Sequence, residues 1–212
     1  MTAPSDHIAA VADAHRRLGE RIHGLSTEVI RRNSLLPGWS VGHVLTHMAR
    51  NADSHVRRTQ AAIAGDFVDQ YPGGRPARDA EIDAGAARPA DQILDDVRQS
   101  AAGLDDVWRR TPATAWTGLS RDVSGRERQL RELPARRWQE VEVHLVDLDI
   151  GVSHREWSDE FVAAWLPRMR GHIESKLDPG VALPRLDDPH DELAWLYGRL
   201  QRDDLPALPP WG

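Results

Sequence analysis

Apolar residues recur at alternating steps of three and four along four long stretches of this chain, which is the spacing of one helix face. The first stretch follows a plausible N-cap at Ser5 or Asp6, and its apolar face comprises Ile8, Val11, His15, Leu18, Ile22, Leu25 and Val29. Nowhere does the chain show several of the two-residue alternations that are typical of strands. The sequence therefore predicts a mainly α protein, in which the long helices pack as an up-and-down four-helix bundle.

The other three long helices are predicted at residues 41–65, 90–110 and 135–150. Ser40 is placed to cap the second long helix. Turn residues at 71–76 precede a short helix predicted at 77–87, and residues 111–134 are predicted to be irregular. After Gly151 the composition shifts, and two further helices are predicted at 158–177 and 191–201, followed by an extended tail at 205–212. Two regions follow: a helical bundle over 1–150 and a small C-terminal region over 151–212.

The length, charge and hydropathy of the chain indicate which binding partners and which cellular compartment to expect. The chain of 212 residues is long enough to bury a core as one domain, with or without a small appendage. Its 27 basic and 33 acidic residues give a net charge of -6, and no long basic run occurs, so nucleic acid and anionic membranes are poor partners. The apolar stretches are too short to span a bilayer, and the N-terminus lacks a signal-peptide pattern. A cytoplasmic protein is the expectation.

The side chains that are missing exclude several kinds of chemistry. The sequence contains no cysteine, so neither a disulfide nor a thiolate ligand nor an internal thiol nucleophile is available. Lys176 is the one lysine, which makes a Schiff-base mechanism a poor hypothesis.

Two histidines and a glutamate form the candidate site. Glu140 and His144 lie one turn apart on the fourth long helix, so their side chains project from the same side. His47 lies on the second long helix. If these two helices pack face to face, the three side chains present the two-histidine, one-carboxylate set of zinc and ferrous iron sites that keep open coordination positions. A solvated helix face is the alternative explanation of this spacing.

Polar residues continue around the candidate site on both helices. His43, His47, Asn51 and His55 recur every four residues, which indicates either a solvated stripe or the wall of a cavity. The fourth long helix is apolar on two sides, with Glu140, His144 and Asp147 in the strip between them. Because a helix of that pattern is usually buried, these groups need partners, either in a hydrogen-bond network or at a metal.

Several motifs in the chain resemble those of one known family. They are Leu-Pro-Gly-Trp-Ser at 36–40, Gly-His at 42–43, His-Met-Ala-Arg-Asn-Ala at 47–52, Tyr-Pro-Gly-Gly at 71–74, Ala-Arg-Asp-Ala-Glu-Ile at 77–82, and the segment 137–147. Together they are similar to the mycothiol-dependent maleylpyruvate isomerases, which belong to the DinB-like superfamily of four-helix bundles. Residues 193–199 and the Pro-Pro-Trp ending resemble that family's C-terminal domain in a shortened form.

The resemblance implies a set of site residues and cofactors. It places a zinc ion, or another divalent metal, on His47, Glu140 and His144 as ligands of a catalytic centre. It places the binding of substrate or thiol on Arg78 and Arg199, with Asn51 beside them, and gives Arg78 a catalytic part as well. Mycothiol is the implied thiol cofactor, and a small molecule is the substrate. A monomer or a homodimer is expected.

The resemblance also implies a reaction. The thiolate adds to the conjugated double bond of maleylpyruvate, the resulting single bond rotates, and elimination of the thiol yields fumarylpyruvate, while arginines stabilise the enolate. Two alternatives remain open from the sequence. One is a mycothiol S-transferase that joins the thiol to another electrophile without elimination. The other is a metal-binding bundle without catalysis.

Overall fold

The computed structural model describes residues 3–178 and 182–209, and most of them are helical. The helices of these residues are α1 (Ser5–Arg21), α2 (Thr27–Arg31), α3 (Val41–Ala64), α4 (Gly74–Ala86), α5 (Ala90–Arg110), α6 (Leu133–Asp147), α7 (Asp159–Glu174) and α8 (Pro189–Leu196). The described strands are β1 (Leu119–Arg121) and β2 (Glu127–Gln129). The mainly α class that the apolar spacing predicts is confirmed.

The four long helices α1, α3, α5 and α6 form the predicted four-helix bundle. Helix α3 packs against α5 and α6, and α1 packs against the same two helices. Each of the four contributes fully buried apolar side chains, among them Val11, Leu45, Leu104 and Val141. Burying one such side chain contributes roughly 1.5–3 kcal/mol, so the apolar faces read from the sequence hold the bundle together.

The chain divides into two compact units, Met1–Leu148 and Asp149–Gly212. The bundle lies in the first unit. In the described part of the second unit, α7 carries Pro167 in its interior, and α8 packs against α7. The buried Arg170 of α7 donates from Nη2 to Glu192 of α8 over 2.5 Å. No strand is found among its described residues. The final three residues, which include most of the Pro-Pro-Trp ending, lie outside the described part of the chain.

Helix α3 begins and ends where the sequence predicts. The hydroxyl of Ser40 accepts a hydrogen bond from the backbone N–H of His43, and the His43 ring in turn faces the backbone N–H of Ser40. This reciprocal capping satisfies two backbone donors that a helix start leaves unpaired. At the other end Gly65 adopts a left-handed conformation with φ of 83°, which stops the helix.

Helix α4 lies close against α3 because one of its residues has no side chain. A Cβ atom added at Gly85 would lie 2.4 Å from Cγ2 of Thr46 in α3. A residue with a side chain could occupy position 85 only if the neighbouring atoms shifted. The close approach fixes α4 beside the α3 segment that carries His47. Helix α4 runs from Gly74 to Ala86, slightly earlier than the predicted 77–87.

Several helix boundaries differ from the prediction, among them the end of α6 at Asp147 and the end of α7 at Glu174, each three residues early. Three further differences are at α1 and α8. The first apolar face was expected to run to Val29, but α1 ends at Arg21, because Gly24 takes a φ of 72° and the chain restarts as α2. Pro4, not Ser5 or Asp6, occupies the N-cap position of α1. The last helix ends at Leu196, five residues early, just before Gly198 with its φ of 72°.

The stretch 111–134, predicted as irregular, contains a short antiparallel hairpin. Strands β1 and β2 pair with Ser120 opposite Arg128, and short 3-10 turns flank them at Ala113–Thr117 and Leu130–Glu132. The backbone N–H of Gln70 donates to the carbonyl of Arg121 over 2.7 Å. This bond ties the hairpin to the turn that precedes α4. Among the described residues, no helix is long and apolar enough to cross a membrane.

Candidate metal centre and its surroundings

Helices α3 and α6 bring His47, Glu140 and His144 together. Nε2 of His47 lies 3.1 Å from Oε2 of Glu140, and Nε2 of His144 lies 3.3 Å from the same oxygen. The His47 and His144 rings meet edge to face, with their centroids 4.9 Å apart. The residues come from positions about ninety apart, so only the packing of α3 on α6 creates the cluster.

The donor set of the cluster fits a divalent metal. One ligand atom from each of the three side chains lies within 4.8 Å of the others, and in the described residues this is the single group of three such side chains. Both imidazoles are buried, while the Glu140 side chain keeps 28 % of its surface exposed. Two imidazole nitrogens and a carboxylate would leave coordination positions open on the accessible side, as in catalytic zinc sites.

Protonation of the cluster is strongly perturbed. Burial lowers the pKa of His47 to about 4, although its hydrogen bond to Glu140 acts in the opposite direction. Burial also opposes charge on His144, but the carboxylates of Asp147 and Glu140 outweigh it and raise its pKa to about 9. Burial would raise the pKa of Glu140, yet its bonds to the two histidines hold it well below its usual value. Without metal, the cluster therefore holds a His144 imidazolium beside an ionised Glu140 and a neutral His47.

A second carboxylate fixes the orientation of His144. Oδ2 of Asp147, which is fully buried, lies 2.8 Å from Nδ1 of His144 one turn earlier on α6. Nδ1 therefore keeps its proton, and Nε2 points to Glu140. Metal-binding histidines almost always donate their other ring N–H to a carboxylate, carbonyl or water in this way. The strip of polar residues on α6 thus contains both a candidate ligand and its orienting partner.

Arg78 reaches the same cluster from α4. Its Nη2 lies 3.1 Å from Nδ1 of His47, and its Nη1 lies 2.6 Å from the carboxylate of Asp79. The guanidinium stands over two aromatic rings, 5.7 Å from the centroid of Trp39 and 5.9 Å from that of Tyr71. These contacts place a fixed positive charge beside the candidate ligands. Neither ring was singled out from the sequence as a site residue, although both belong to motifs quoted for the resemblance.

The remaining predicted binding residues have other contacts. Asn51 is buried one turn after His47 on α3, and its Oδ1 accepts from Nη1 of Arg137 over 2.9 Å. Arg137 also donates to His15 and to the carbonyl of Met48, so it joins three helices of the bundle. Arg199 lies in the second unit, where its Nη1 donates to the carbonyl of Tyr197 over 2.5 Å. The sequence did not identify Arg137 as a site residue, although it precedes Glu140 by almost one turn of α6.

The four-helix bundle and its cluster of two histidines and one glutamate assign this protein to a class of candidate metal-binding proteins. A family model described as the mycothiol maleylpyruvate isomerase N-terminal domain matches residues 11–149. The chain therefore belongs to the mycothiol maleylpyruvate isomerase family, as the resemblance of its motifs indicated. Among curated proteins, none matches this sequence.

Two solved structures are similar to this fold along their full length. One is a crystal structure of the mycothiol-dependent maleylpyruvate isomerase, with a TM-score of 0.87 and 21 % sequence identity over 100 % of both chains. The other is a mutant of the mycothiol-dependent maleylpyruvate isomerase in which alanine replaces a histidine, with a TM-score of 0.86 and 20 % identity over 100 % of both chains. At this level of identity, the likeness shows that the fold is shared.

Proposed function

We propose that the chain is a metal-dependent, mycothiol-using enzyme that catalyses a cis–trans isomerisation of the maleylpyruvate type. The observation that carries this proposal is that one ligand atom from each of His47, Glu140 and His144 lies within 4.8 Å of the other two, with the Arg78 guanidinium beside them. Membership of the isomerase family supports the same conclusion. Zinc is the proposed metal, because two imidazoles and one carboxylate form a ligand set that catalytic zinc sites use.

In this proposal His47, Glu140 and His144 hold the metal through two ring nitrogens and a carboxylate oxygen. Asp147 keeps the Nδ1 proton of His144 in place, so that Nε2 presents its lone pair to the metal. When bound, zinc supplies a Lewis acid that stabilises a thiolate near neutral pH. The chain itself has no cysteine, so the thiol comes from mycothiol or another external thiol.

Arg78 binds and stabilises negative charge in the proposed reaction. A guanidinium always carries its charge and presents paired N–H donors that match a carboxylate or an enolate. The Trp39 and Tyr71 rings limit the directions in which this side chain can move. Arg78 is therefore positioned to hold an acidic electrophile while its double bond is attacked, and to stabilise the enolate that forms.

One experiment separates the proposed isomerase from its alternatives. Zinc-loaded protein is incubated with mycothiol and maleylpyruvate, and the products and free thiol are followed by chromatography and NMR. The proposal predicts fumarylpyruvate, with mycothiol recovered in full after many turnovers. A mycothiol S-transferase would instead consume one thiol for each thioether formed. A non-catalytic metal-binding bundle would form neither product above the rate without protein.

Two controls sharpen this experiment. Because the chain lacks cysteine, treating the protein alone with iodoacetamide and removing the reagent should leave its activity unchanged. Alkylating mycothiol beforehand should abolish activity. Activity that persists without any thiol would contradict the proposal.

A further inference from the structure

A chain of polar side chains runs from one helix to the next through the centre of the bundle. Oδ1 of Asp105 on α5 lies 2.8 Å from Nδ1 of His15 on α1, and Nε of Arg137 on α6 donates to Nε2 of the same ring over 3.0 Å. Nη1 of Arg137 then donates to α3, to the carbonyl of Met48 over 2.8 Å and to Oδ1 of Asn51 over 2.9 Å. These hydrogen bonds therefore connect all four long helices.

The position of the ring proton in this chain follows from the chemistry of its members. A guanidinium can only donate, so Nε2 of His15 accepts from Arg137, and the ring proton lies on Nδ1, where it faces the Asp105 carboxylate. Burial lowers the pKa of His15, and the charge of Arg137 lowers it further, although the hydrogen bond to Asp105 acts in the opposite direction. His15 is therefore neutral near pH 7 and is held in one tautomer.

Arg137 carries a buried charge that has no carboxylate in direct contact. It is fully buried, and its hydrogen-bond partners within the described part of the chain are a neutral imidazole, a backbone carbonyl and an amide. Burial lowers the pKa of Arg137 to about 10, while the charge of Glu140 opposes this, so the guanidinium stays charged at neutral pH. Buried charged groups seldom stabilise a fold more than apolar packing would, and their best-attested use is to fix the register of packed helices.

The bonds from Arg137 to α3 lie within about one turn of two candidate ligands. Arg137 precedes Glu140 by three residues on α6, and Met48 directly follows His47 on α3. At a rise of about 1.5 Å per residue, Arg137 and Glu140 are about 4.5 Å apart along the axis of α6. A shift of α6 along α3 that broke the bond from Arg137 to Met48 would therefore also change the 3.1 Å contact between His47 and Glu140.

Apolar packing holds α3 and α6 together less extensively than it holds their neighbours. Helix α3 packs less extensively against α6 than against α5, and α1 packs against α6 more extensively than α3 does. On the side of α6 that faces His47, Glu140 and His144 occupy positions that apolar side chains would otherwise fill. Apolar side chains can pack in more than one register, whereas the directed hydrogen bonds of Arg137 require a single arrangement.

We propose that Arg137 is a positioning residue of the candidate metal centre, and that His15 and Asp105 hold it in place. Its bonds to α3 fix the register of the two helices and, with it, the separation of Nε2 of His47 from the Glu140 carboxylate. The inference rests on the proposed function only in taking the cluster as a metal site, since it does not depend on the reaction catalysed. Metal affinity should therefore depend on side chains of α1 and α5 that lie outside the cluster.

The zinc affinity of the full chain tests this role, measured by competition with a fluorescent chelator. His15→Leu removes the acceptor of Arg137 and should raise the dissociation constant for zinc by about tenfold. His15→Gln should bind zinc nearly as well as the parent, because its amide oxygen can accept from Nε of Arg137. Asp105→Leu removes the carboxylate that orients the His15 ring, and it should weaken zinc binding in the same direction as His15→Leu.

A control variant and a metal-free measurement separate positioning from a purely structural role. Val11 is fully buried on α1, one turn before His15. Val11→Ala removes apolar atoms but none of the hydrogen bonds, so it should lower the melting temperature and leave zinc affinity unchanged. In the metal-free parent, nitrogen-15 NMR should find the ring proton of His15 on Nδ1.

Several results would overturn the positioning role. They are parent-like zinc affinity in both His15→Leu and Asp105→Leu, an equal loss of affinity in Val11→Ala, and a His15 proton on Nε2. Asp105→Leu decides the matter if His15→Leu does not fold.

The same measurements distinguish this inference from the proposed function. The expected zinc affinities without mycothiol-dependent turnover of maleylpyruvate would refute the proposed function and keep the positioning role. Turnover by the parent, with zinc affinity unchanged in the variants, would refute the positioning role alone. A parent protein that binds no zinc would refute both.

Discussion

Nη2 of Arg78 lies 3.1 Å from Nδ1 of His47, on the side of the ring opposite Glu140. A guanidinium can only donate, so Nδ1 accepts and the ring proton sits on Nε2, facing the Glu140 carboxylate. A metal bound at Nε2 requires that proton to move to Nδ1, where it would oppose the Arg78 donor. A metal on Nε2 of His47 would therefore exclude this hydrogen bond and would release Arg78 for another acceptor.

Zinc loading should consequently change the tautomer of His47. In the metal-free protein, nitrogen-15 NMR should report a protonated Nε2 on His47, and one equivalent of zinc should shift the proton to Nδ1. His144 serves as the internal reference, since its Nδ1 keeps its proton toward Asp147 in both states. An Nδ1 proton on His47 before zinc is added would contradict the assignment.

Replacing Arg78 by alanine should impair catalysis and leave the metal in place. The change removes a positive charge from the substrate position but none of the three proposed ligands. We expect kcat/KM for maleylpyruvate to fall by about tenfold to a hundredfold, with zinc content unchanged. Arg75→Ala is the matched control, because Arg75 lies exposed on the same helix. Equal kinetics for the parent and Arg78→Ala would show that Arg78 does not contact the substrate.

Removing either of the two proposed ligands on α6 should abolish metal binding and activity together. His144→Ala and Glu140→Ala each leave at most two protein ligands, and elemental analysis should find little zinc in either. At a free zinc concentration about 100 times the dissociation constant, binding stabilises the folded parent by about 2.7 kcal/mol. A chelator should therefore lower the melting temperature of the parent and change that of these variants little.

Glu142 provides the control on the same helix if it is replaced by a residue of similar size. It is buried, it pairs with Arg17, and it accepts from Nε1 of Trp138 over 3.2 Å. Glu142→Gln retains an acceptor for Trp138 and should keep its zinc, whereas alanine would also leave a buried arginine contact unmet. Loss of zinc from Glu142→Gln with retention in Glu140→Ala would show that a different face of α6 binds the metal.

Asp147→Asn should weaken the metal site without removing a ligand. The fully buried Asp147 stabilises the Nδ1 proton of His144, and an amide can present either a donor or a weaker acceptor there. Loss of such an orienting partner typically lowers metal affinity by about tenfold to a hundredfold. Competition with a fluorescent zinc chelator would measure the change. An unchanged affinity would mean that the α6 backbone alone orients His144.

Zinc affinity should rise with pH. The pKa of His144 is raised to about 9 in the metal-free site, so near neutral pH zinc must displace the proton on Nε2. His47, whose pKa lies at about 4, is already neutral there and releases none. We expect about a tenfold gain in affinity for each pH unit between about 6 and 8, with about one proton released per zinc. Calorimetry in buffers of different ionisation enthalpy counts that proton, and a pH-independent affinity would contradict the prediction.

The sequence by itself determined the helical class, the four bundle helices and the shared face of Glu140 and His144. Apolar spacing records which face of a helix is buried, and a separation of four residues sets two side chains one turn apart whatever the surroundings. It also placed the start of α3 at Ser40, because capping depends on residues only three apart. The break after α1 was missed, since apolar spacing alone does not show where Gly24 turns the chain.

Only the tertiary structure decided which of these faces meet. His47 and Glu140 are 93 residues apart in the chain, and their 3.1 Å contact depends on how α3 packs on α6. The approach of Arg78 to the cluster depends on the close packing of α4 against α3 at Gly85. A periodic pattern specifies that a face is buried but not its partner, because the same apolar face can pack against many others.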